Sequence, residues 1–276
     1  MIPFLLTLGG FFVGGCGTMI GIGGGLFIAP ALAFWRPEET AERIAALSLL
    51  VVFCNATSGA IAYARKGLVH FKSGLYFSAT AIPGSILGTI VAGMMARSAF
   101  NIALGSFLIL MSGVLMWRTL RKPPQDHHPE WTGPTLSQMH IGAAVSAGVG
   151  FLASILGIGG GIIHVPLLAF ALHYPVHRAT ATSHFVLAIT AGVSSTVYVA
   201  QGKLDGNWDL ALPLVIGVVL GAQVGARLAK HIKPKWIILI LSILIAVVGT
   251  KLAYPSLKPA SNAAPTSAPE STKVTP

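Results

Sequence analysis

The sequence predicts an all-α polytopic membrane protein, and its composition and a repeated glycine motif support this class. Hydrophobic residues make up 54% of the 276 positions and charged residues only 9%, with a mean hydropathy of +0.76. A soluble domain usually carries about 25% charged residues to cover its surface. The composition therefore excludes an ordinary soluble enzyme and a nucleic-acid-binding chain, although the net charge is +10.

The ten apolar segments of the chain predict its helices. They run, in order, at Ile2–Ile20, Leu26–Trp35, Ile44–Ala64, Gly74–Ala96, Ala99–Trp117, Met139–Leu156, Ile162–Leu172, Ala179–Ala200, Leu210–Ala229 and Trp236–Tyr254. A spanning helix needs about 20 residues. The second and seventh segments are too short to cross alone, and each follows a longer segment across a glycine cluster. We therefore predict about eight hydrophobic helical segments, four in each half, with the first of each half broken at its cluster.

Polar stretches divide the chain into four parts. We assign 1–120 and 136–254 to two membrane repeats, and 121–135 to a polar, Pro-containing linker between them. The remaining 255–276 is rich in Pro, Ala, Ser and Thr, and we expect this tail to be disordered.

The two membrane halves repeat one motif. Gly14-x6-GIGGG-x4-Pro30 recurs as Gly150-x6-GIGGG-x4-Pro166 at a constant offset of 136. Further matches follow in the same order at offsets of 135 or 133: Arg43 with Arg178, Ser48 with Ser183, Tyr63 with Tyr198, Gly67 with Gly202, and Gly84-x3-Gly88 with Gly217-x3-Gly221. This conserved order of matches within one chain indicates an internal duplication.

The paired motif also carries a family resemblance. Two copies of GIGGG followed by Pro, together with GAQVGARLA at 221–229, resemble the sulfite exporter TauE/SafE family over about Gly9 to Tyr254. The resemblance implies a multi-pass permease of the bacterial-type inner (plasma) membrane. Family members are associated with sulfite, sulfonates, sulfoacetate and related organic anions. The resemblance thus implies a secondary transporter, acting as an exporter, whose partners are a small anionic substrate and the lipid bilayer.

Each glycine cluster predicts a helix break at membrane depth. Glycine costs a helix about 1 kcal/mol relative to Ala, and the freed backbone groups must find partners in lipid. Broken helices at matching positions of two halves are typical of a transporter's substrate site, and helix N-termini favour anions. Close packing through small residues, or a plain hairpin turn, is the alternative. The candidate binding residues are Gly21, Gly23, Gly24, Gly25, Gly157, Gly159, Gly160 and Gly161.

Small polar residues on the second long helix of each half are further candidates. Ser48 and Asn55 fall on one helical face, Ser183 and Thr190 are their equivalents, and Thr182 flanks this polar stripe. Hydroxyl and amide donors bind a sulfonate or carboxylate without a full charge. The same residue types also serve as interhelical hydrogen bonds, at about 0.6 kcal/mol each.

Four ionisable residues have two interpretations each. Arg43 and Arg178 precede the polar helices at matching positions, where they either draw anions to the cavity mouth or anchor the helix at lipid headgroups. His164 and His184 lie within apolar segments. They are either neutral, hydrogen-bonded core residues or proton-linked groups, because histidine titrates near neutral pH.

The sequence favours an anion over a cation. None of the eight acidic residues falls within a spanning run, whereas proton and cation pathways usually place carboxylates inside the bundle. No catalytic or metal-binding arrangement is visible, so we predict neither an enzyme nor a cofactor. An anion channel is the first alternative, and an intramembrane enzyme or partner subunit is the second. The sequence is compatible with a homo-oligomer and does not decide the oligomeric state.

The distribution of Lys and Arg favours inverted halves. If each glycine cluster lies within one continuous membrane crossing, eight Lys and Arg residues lie on each side of the membrane. If each cluster is a hairpin turn, 11 lie on one side and 5 on the other. The two distal tail lysines are left out of both counts. Cytoplasmic loops carry excess Lys and Arg. We therefore predict hairpins, a cytoplasmic linker and external termini.

Overall fold

The computed structural model describes residues 2–120, 133–229 and 235–257, and within these ranges the chain is helical and contains no strand. Most of the predicted tail and of the predicted linker lies outside the described residues, but residues 255–257, assigned to the tail, form the end of the last helix. The helices are α1 Ile2–Ile20, α2 Gly25–Trp35, α3 Ala41–Ala64, α4 Phe71–Met94, α5 Arg97–Leu120, α6 Leu136–Leu156, α7 Gly161–Pro166, α8 Val176–Ala200, α9 Trp208–Leu228 and α10 Lys235–Leu257. A π-helical turn at Leu167–Ala171 continues α7.

Among the described residues, seven helices are long and apolar enough to cross a membrane: α1, α3, α4, α5, α6, α8 and α9. Helix α2 and the described apolar part of α10, Ser242–Tyr254, are shorter. Large apolar side chains cover the outside of the bundle, as Leu110 at 62% and Leu212 at 55% exposure illustrate. Such a surface suits lipid rather than water, and the prediction of an all-α polytopic membrane protein is confirmed.

Local capping explains where two helices begin earlier than the apolar pattern predicts. The Thr40 hydroxyl accepts a hydrogen bond from the main-chain N–H of Arg43, which starts α3 at Ala41. Thr135 and Gln138 form a reciprocal capping box, which starts α6 at Leu136. Because these caps are polar, hydropathy alone does not reveal them.

Glycines set the closest helix contacts. Helix α1 packs on α9, and α6 packs on α4. A side chain on Gly221 would collide with the carbonyl of Phe11, and one on Gly84 with the carbonyl of Ala147. Backbones therefore touch directly at both interfaces, as at small-residue crossings of other membrane helices.

The central helices α3 and α8 pack against each other and run antiparallel. Gly59, near the end of α3, lies beside His184, near the start of α8. Phe53, earlier in α3, lies beside Gly192, later in α8. Helices at matching positions of the two halves therefore point in opposite directions.

One end of the bundle, which we call the acidic end, joins the start of α3 to the end of α8. Lys203 Nζ donates to Glu42 Oε1 at 2.7 Å, and the Arg97 guanidinium donates to the carbonyls of Ala33 and Glu39 at 2.8 and 2.9 Å. The end of α2 and the start of α5 therefore lie there as well. The described acidic residues all belong to this end: Glu38, Glu39, Glu42, Asp205 and Asp209.

The opposite end, which we call the basic end, joins the end of α3 to the end of α9. Lys66 Nζ donates to the Ala226 carbonyl at 2.6 Å. The main-chain N–H of His70, just before α4, donates to Thr182 Oγ1 of α8 at 3.1 Å. The described cations of this end are Arg65, Lys66, Lys72, Arg178 and Arg227.

The chain turns back at each glycine cluster. Gly10 of α1 lies beside Leu214, near the start of α9, so α1 begins at the acidic end, where α2 also ends. In the second half, Gly142 of α6 lies beside Phe77, near the start of α4. Helix α6 thus begins at the basic end, and the segment after the second cluster returns there to start α8.

Candidate functional site

The two glycine clusters, Gly21–Gly25 and Gly157–Gly161, meet in the middle of the bundle, and all their residues are buried. A Cβ on Gly161 would lie 2.7 Å from the carbonyl oxygens of both Gly21 and Ile22. The structure therefore brings together the two motifs that the sequence places 136 residues apart.

Backbone conformation explains why the motif is GIGGG. The first, third and fourth residues of each cluster have positive φ, a region that residues with a Cβ rarely adopt. The φ angles are +88° at Gly21, +82° at Gly23, +78° at Gly24, +70° at Gly157, +83° at Gly159 and +78° at Gly160. The two loops therefore share one conformation, and the fifth glycine of each is required by its contact with the opposite loop.

A first polar cluster, formed by Thr18, Asn55, Gly59, Tyr63 and His184, lies beside the first glycine cluster. Tyr63 OH donates to the Thr18 carbonyl at 2.9 Å, and Thr18 Oγ1 donates to Asn55 Oδ1 at 3.3 Å. The Tyr63 ring packs edge-on against the His184 ring, with centroids 5.6 Å apart. Helices α1, α3 and α8 thus contribute to one buried group of polar side chains.

A second polar cluster, formed by Ser154, Ser194 and Tyr198, occupies the equivalent place in the second half. Ser154 Oγ lies 2.8 Å from Ser194 Oγ, and Tyr198 OH donates to the Ser154 carbonyl at 3.5 Å. Thr190, the equivalent of Asn55, donates back to the Val186 carbonyl of its own helix at 3.0 Å. The second cluster is therefore satisfied internally.

Four buried polar atoms near the centre have no hydrogen-bond partner among the described residues. They are Asn55 Nδ2, Ser183 Oγ, His164 Nδ1 and His184 Nε2. Their residues are at most 1% exposed. Buried polar groups are normally paired, and unpaired ones at membrane depth mark functional sites. Asn55 Nδ2 lies 3.5 Å from where a Cβ on Gly24 would stand, so this amide faces the glycine cluster.

Two of the predicted polar residues form interhelical hydrogen bonds instead. The Ser48 hydroxyl donates to the Gly157 carbonyl and so ties α3 to the second glycine cluster. Thr182 accepts from the main chain of His70 at the basic end. Ser183 is equivalent to Ser48 in the repeat, yet its hydroxyl has no partner within the described ranges. The two halves therefore differ at a position where their sequences agree.

Arg43 and Arg178 lie at opposite ends of the bundle rather than beside the glycine clusters. Arg43 Nη1 is 3.6 Å from Glu39 Oε2 at the acidic end. Arg178 is partly exposed at the start of α8, at the basic end. His164 is buried in α7, where its Nε2 lies 3.1 Å from Ser146 Oγ of α6.

A network that the sequence did not predict closes the basic end. Tyr174 OH donates to Ser73 Oγ at 2.6 Å, and Ser73 Oγ lies 2.7 Å from His70 Nδ1. Burial raises the pKa of Tyr174 to about 12. Burial, and then the positive charges of Arg178 and Lys72, hold the pKa of His70 below its usual value. Both side chains are therefore neutral at physiological pH and serve as hydrogen-bonding groups.

A narrow crevice opens at the acidic end. It is lined by Leu32, Arg36, Glu39, Arg43, Ile44, Leu47, Asn207 and Leu210. By the repeat offsets, Glu39 corresponds to Tyr174 and Leu210 to Phe77. Tyr174 and Phe77 are buried at 3% and 0% exposure. Equivalent residues of the two halves thus line a crevice at the acidic end but are buried in packed contacts at the basic end.

A bundle of spanning helices, in which two broken segments meet beside unpaired buried donors, defines a polytopic membrane permease. The chain belongs to the sulfite exporter TauE/SafE family, whose model matches residues 6–252. The comparisons indicate a membrane transporter rather than an enzyme, and they agree with a multi-pass membrane location.

Curated relatives cover nearly the whole chain. "Probable membrane transporter protein YunE" of Bacillus subtilis (strain 168) is 30% identical over 269 residues, which are 92% of this chain and 98% of the relative. "Probable membrane transporter protein MJ0441" of Methanocaldococcus jannaschii is 26% identical over 262 residues, at 90% and 94% coverage. A "Probable membrane transporter protein" of Xylella fastidiosa (strain Temecula1) is 29% identical over 231 residues, at 83% and 85%. No solved structure matches the chain.

Proposed function

We propose that this protein is a secondary transporter of a small organic or inorganic anion, such as sulfite, a sulfonate or sulfoacetate. Export is the direction that the family description implies. The observation that carries the proposal is the meeting of the two glycine clusters beside Asn55 Nδ2, a buried donor without a partner in the described structure. Ser183 Oγ on α8 is a second buried donor without a partner there. The glycine clusters form the centre of the proposed site.

The distribution of charge supports an anion as the substrate. The described carboxylates lie at the acidic end, and none lies beside the glycine clusters. Neutral donors bind a sulfonate or carboxylate without the desolvation cost of a buried ion pair. Arg43 and Arg178, one near each mouth, would raise the local anion concentration at either side.

We further propose alternating access through inverted halves. The antiparallel packing of α3 on α8 and the return of the chain at each glycine cluster support this arrangement. The difference between the ends supports it as well. Tyr174 is tied to Ser73 at the basic end, whereas its equivalent, Glu39, lines the crevice at the acidic end. Exchange of the two local conformations would close the crevice at the acidic end and release the Tyr174–Ser73 contact at the basic end.

Counterflow in proteoliposomes tests this function. Vesicles loaded with unlabelled anion should transiently accumulate the same radiolabelled anion, within a panel of sulfite, sulfonates, sulfoacetate and simple carboxylates. A channel conducts without counterflow, and an enzyme or partner subunit gives no uptake at all. Either result would contradict the proposed function.

Asn55→Asp is a sharper test of the site. The substitution preserves size but places a carboxylate where the anion would bind, and we expect counterflow to fall at least tenfold, which is about 1.4 kcal/mol of lost binding. Asn55→Ser, which keeps a neutral donor at the same position, is the matched control and should keep more counterflow than Asn55→Asp. Equal rates in both variants would remove Asn55 from the site.

A further inference from the structure

The imidazole of His184 has one ring nitrogen in a fixed hydrogen bond and the other without a partner. Nδ1 lies 3.1 Å from the Thr180 carbonyl oxygen. Because a carbonyl can only accept, Nδ1 carries the hydrogen of the neutral ring. Nε2 then bears a lone pair, and within the described residues it meets no hydrogen-bond partner. Nε2 is therefore the ring atom that would accept a proton.

Nε2 points into the first polar cluster. A Cβ on Gly59 would lie 3.2 Å from His184 Nε2 and 3.1 Å from Thr18 Cγ2, so these side chains converge where Gly59 has none. Tyr63 of α3 is the titratable side chain recorded against the ring, and its hydroxyl already donates to α1. In the described part of the chain, no carboxylate, lysine or arginine is recorded in contact with the ring.

The second polar cluster has no counterpart of this base. At the repeat offset of 135, Leu49 is equivalent to His184 and Thr190 is equivalent to Asn55. His164 does not replace the missing base. Its Nε2 lies 3.1 Å from Ser146 Oγ and so already has a hydrogen-bond partner, unlike Nε2 of His184. One polar cluster of the two therefore combines an unpaired amide donor with a base of fixed tautomer.

We propose that His184 couples anion movement to proton movement, with one proton and one anion bound together at the first polar cluster. This inference rests on the proposed transport function and specifies its coupling. The proton binds the Nε2 lone pair, and the new N–H donates to the anion beside Asn55. The charges of the imidazolium ring and of the singly charged anion then cancel. This lowers the free-energy cost of moving the anion through the centre of the bundle. At the other side, the anion dissociates and Nε2 returns its proton to water.

This coupling has a consequence for direction. One proton moves with each singly charged anion, so the cycle carries no net charge and is insensitive to membrane potential. With a more acidic exterior, the proton gradient drives the anion inward. Net export then occurs when the outward anion gradient exceeds the inward proton gradient.

Radiolabelled methanesulfonate is a suitable probe, because it stays ionised near neutral pH and only the protein titrates. Proteoliposomes with an interior more alkaline by about one pH unit should accumulate it about tenfold, as one coupled proton requires. His184→Gln should not accumulate the anion above its external concentration. His177→Gln, on the exposed surface of the same helix, is the matched control and should accumulate as the wild type does. Tenfold accumulation by His184→Gln would overturn the proposal.

Nitrogen NMR of histidine-labelled protein in nanodiscs gives a readout that does not depend on transport. The signal missing in His184→Gln should report the Nδ1–H tautomer at neutral pH. Methanesulfonate should convert that signal to imidazolium, whereas the neutral isostere dimethyl sulfone should not. An Nε2–H tautomer, or no conversion by methanesulfonate, would overturn the proposal. Absence of any anion uptake by the wild type would instead count against the proposed function, and the conversion of the His184 signal by methanesulfonate would then test the joint binding of proton and anion by itself.

Discussion

At the scale of single residues, equivalent positions of the two halves have different roles. Ser48 and Ser183 match in sequence, but only the Ser48 hydroxyl reaches a carbonyl, that of Gly157. Asn55 and His184 have Thr190 and Leu49 as their equivalents. In the proposed site, departures from the repeat therefore supply the unpaired atoms of Asn55 and His184, whereas Ser183 is unpaired although its position matches Ser48.

The Ser48 and Ser183 pair yields a prediction about stability. Ser48→Ala leaves the buried Gly157 carbonyl without this donor, at a cost of about 1 to 3 kcal/mol. Ser183→Ala removes a hydroxyl that has no partner in the described structure, and it should leave the free energy of unfolding nearly unchanged. Thermal unfolding of both variants in the same detergent measures the difference. Equal destabilisation would contradict the assigned hydrogen bond.

At the scale of elements, much of the architecture is predictable from the sequence. Hydropathy finds the long helices, and the repeat identifies the broken ones, because four glycines in five residues cannot continue a helix. The contacts between distant elements are not predictable in this way. Tyr63 and Tyr198 were visible only as matching residues of the repeat, and their bonds to Thr18 and Ser154 depend on how the helices pack.

The basic-end network of Tyr174, Ser73 and His70 gives no signal in the sequence. Its members belong to different elements, and each residue type is common at helix ends. The sequence likewise does not predict that Arg43 and Arg178 lie far apart. Their matching positions suggested a shared role, but the antiparallel packing of α3 on α8 places them at opposite ends of the bundle.

Substitutions in the glycine clusters test the element that defines the site. Gly24→Leu and Gly160→Leu should leave the protein in the membrane but abolish transport. Each side chain would need a φ of +78° and would crowd Val13 or Val149 and Ala153. Gly67→Ala is the control for backbone strain alone, because its φ is +65° and a Cβ there meets nothing within 4 Å. Normal anion counterflow by both leucine variants would contradict a central site.

The glycine interface of α1 with α9 yields a second prediction for elements. Gly221→Leu forces a side chain into the backbone of α1 at Phe11 and Gly15, so the helices must separate. We expect loss of folded protein or a marked fall in unfolding temperature. Gly113→Leu on α5, where a Cβ has no neighbour within 4 Å, should change neither. Size-exclusion profiles and thermal unfolding of purified protein measure the effect.

At the scale of the whole molecule, the two ends should face different compartments. The sequence count of 11 basic residues against 5 predicts that the basic end is cytoplasmic. Some of these residues, among them Arg121 and Lys122, lie outside the described ranges. The inverted relation of the halves stays a prediction, which the antiparallel packing of α3 on α8 supports.

Two open glycines provide a matched test of orientation. Gly67 follows α3 at the basic end and Gly206 precedes α9 at the acidic end. Both have positive φ, and a Cβ on either meets nothing within 4 Å. In a background without Cys16 and Cys54, an impermeant thiol reagent on intact cells should label Gly206→Cys but not Gly67→Cys. The reverse pattern would contradict the predicted topology.

Locking the basic end with a disulfide tests whether transport requires this end to open. The His70 main-chain nitrogen lies 3.1 Å from Thr182 Oγ1, so we expect cysteines at these two positions to be within disulfide reach. In the background without native cysteines, oxidation of His70→Cys/Thr182→Cys should stop anion counterflow, and reduction should restore it. Each single cysteine variant, treated with the same oxidant, controls for damage. Undiminished counterflow by the fully cross-linked protein would contradict alternating access at this end.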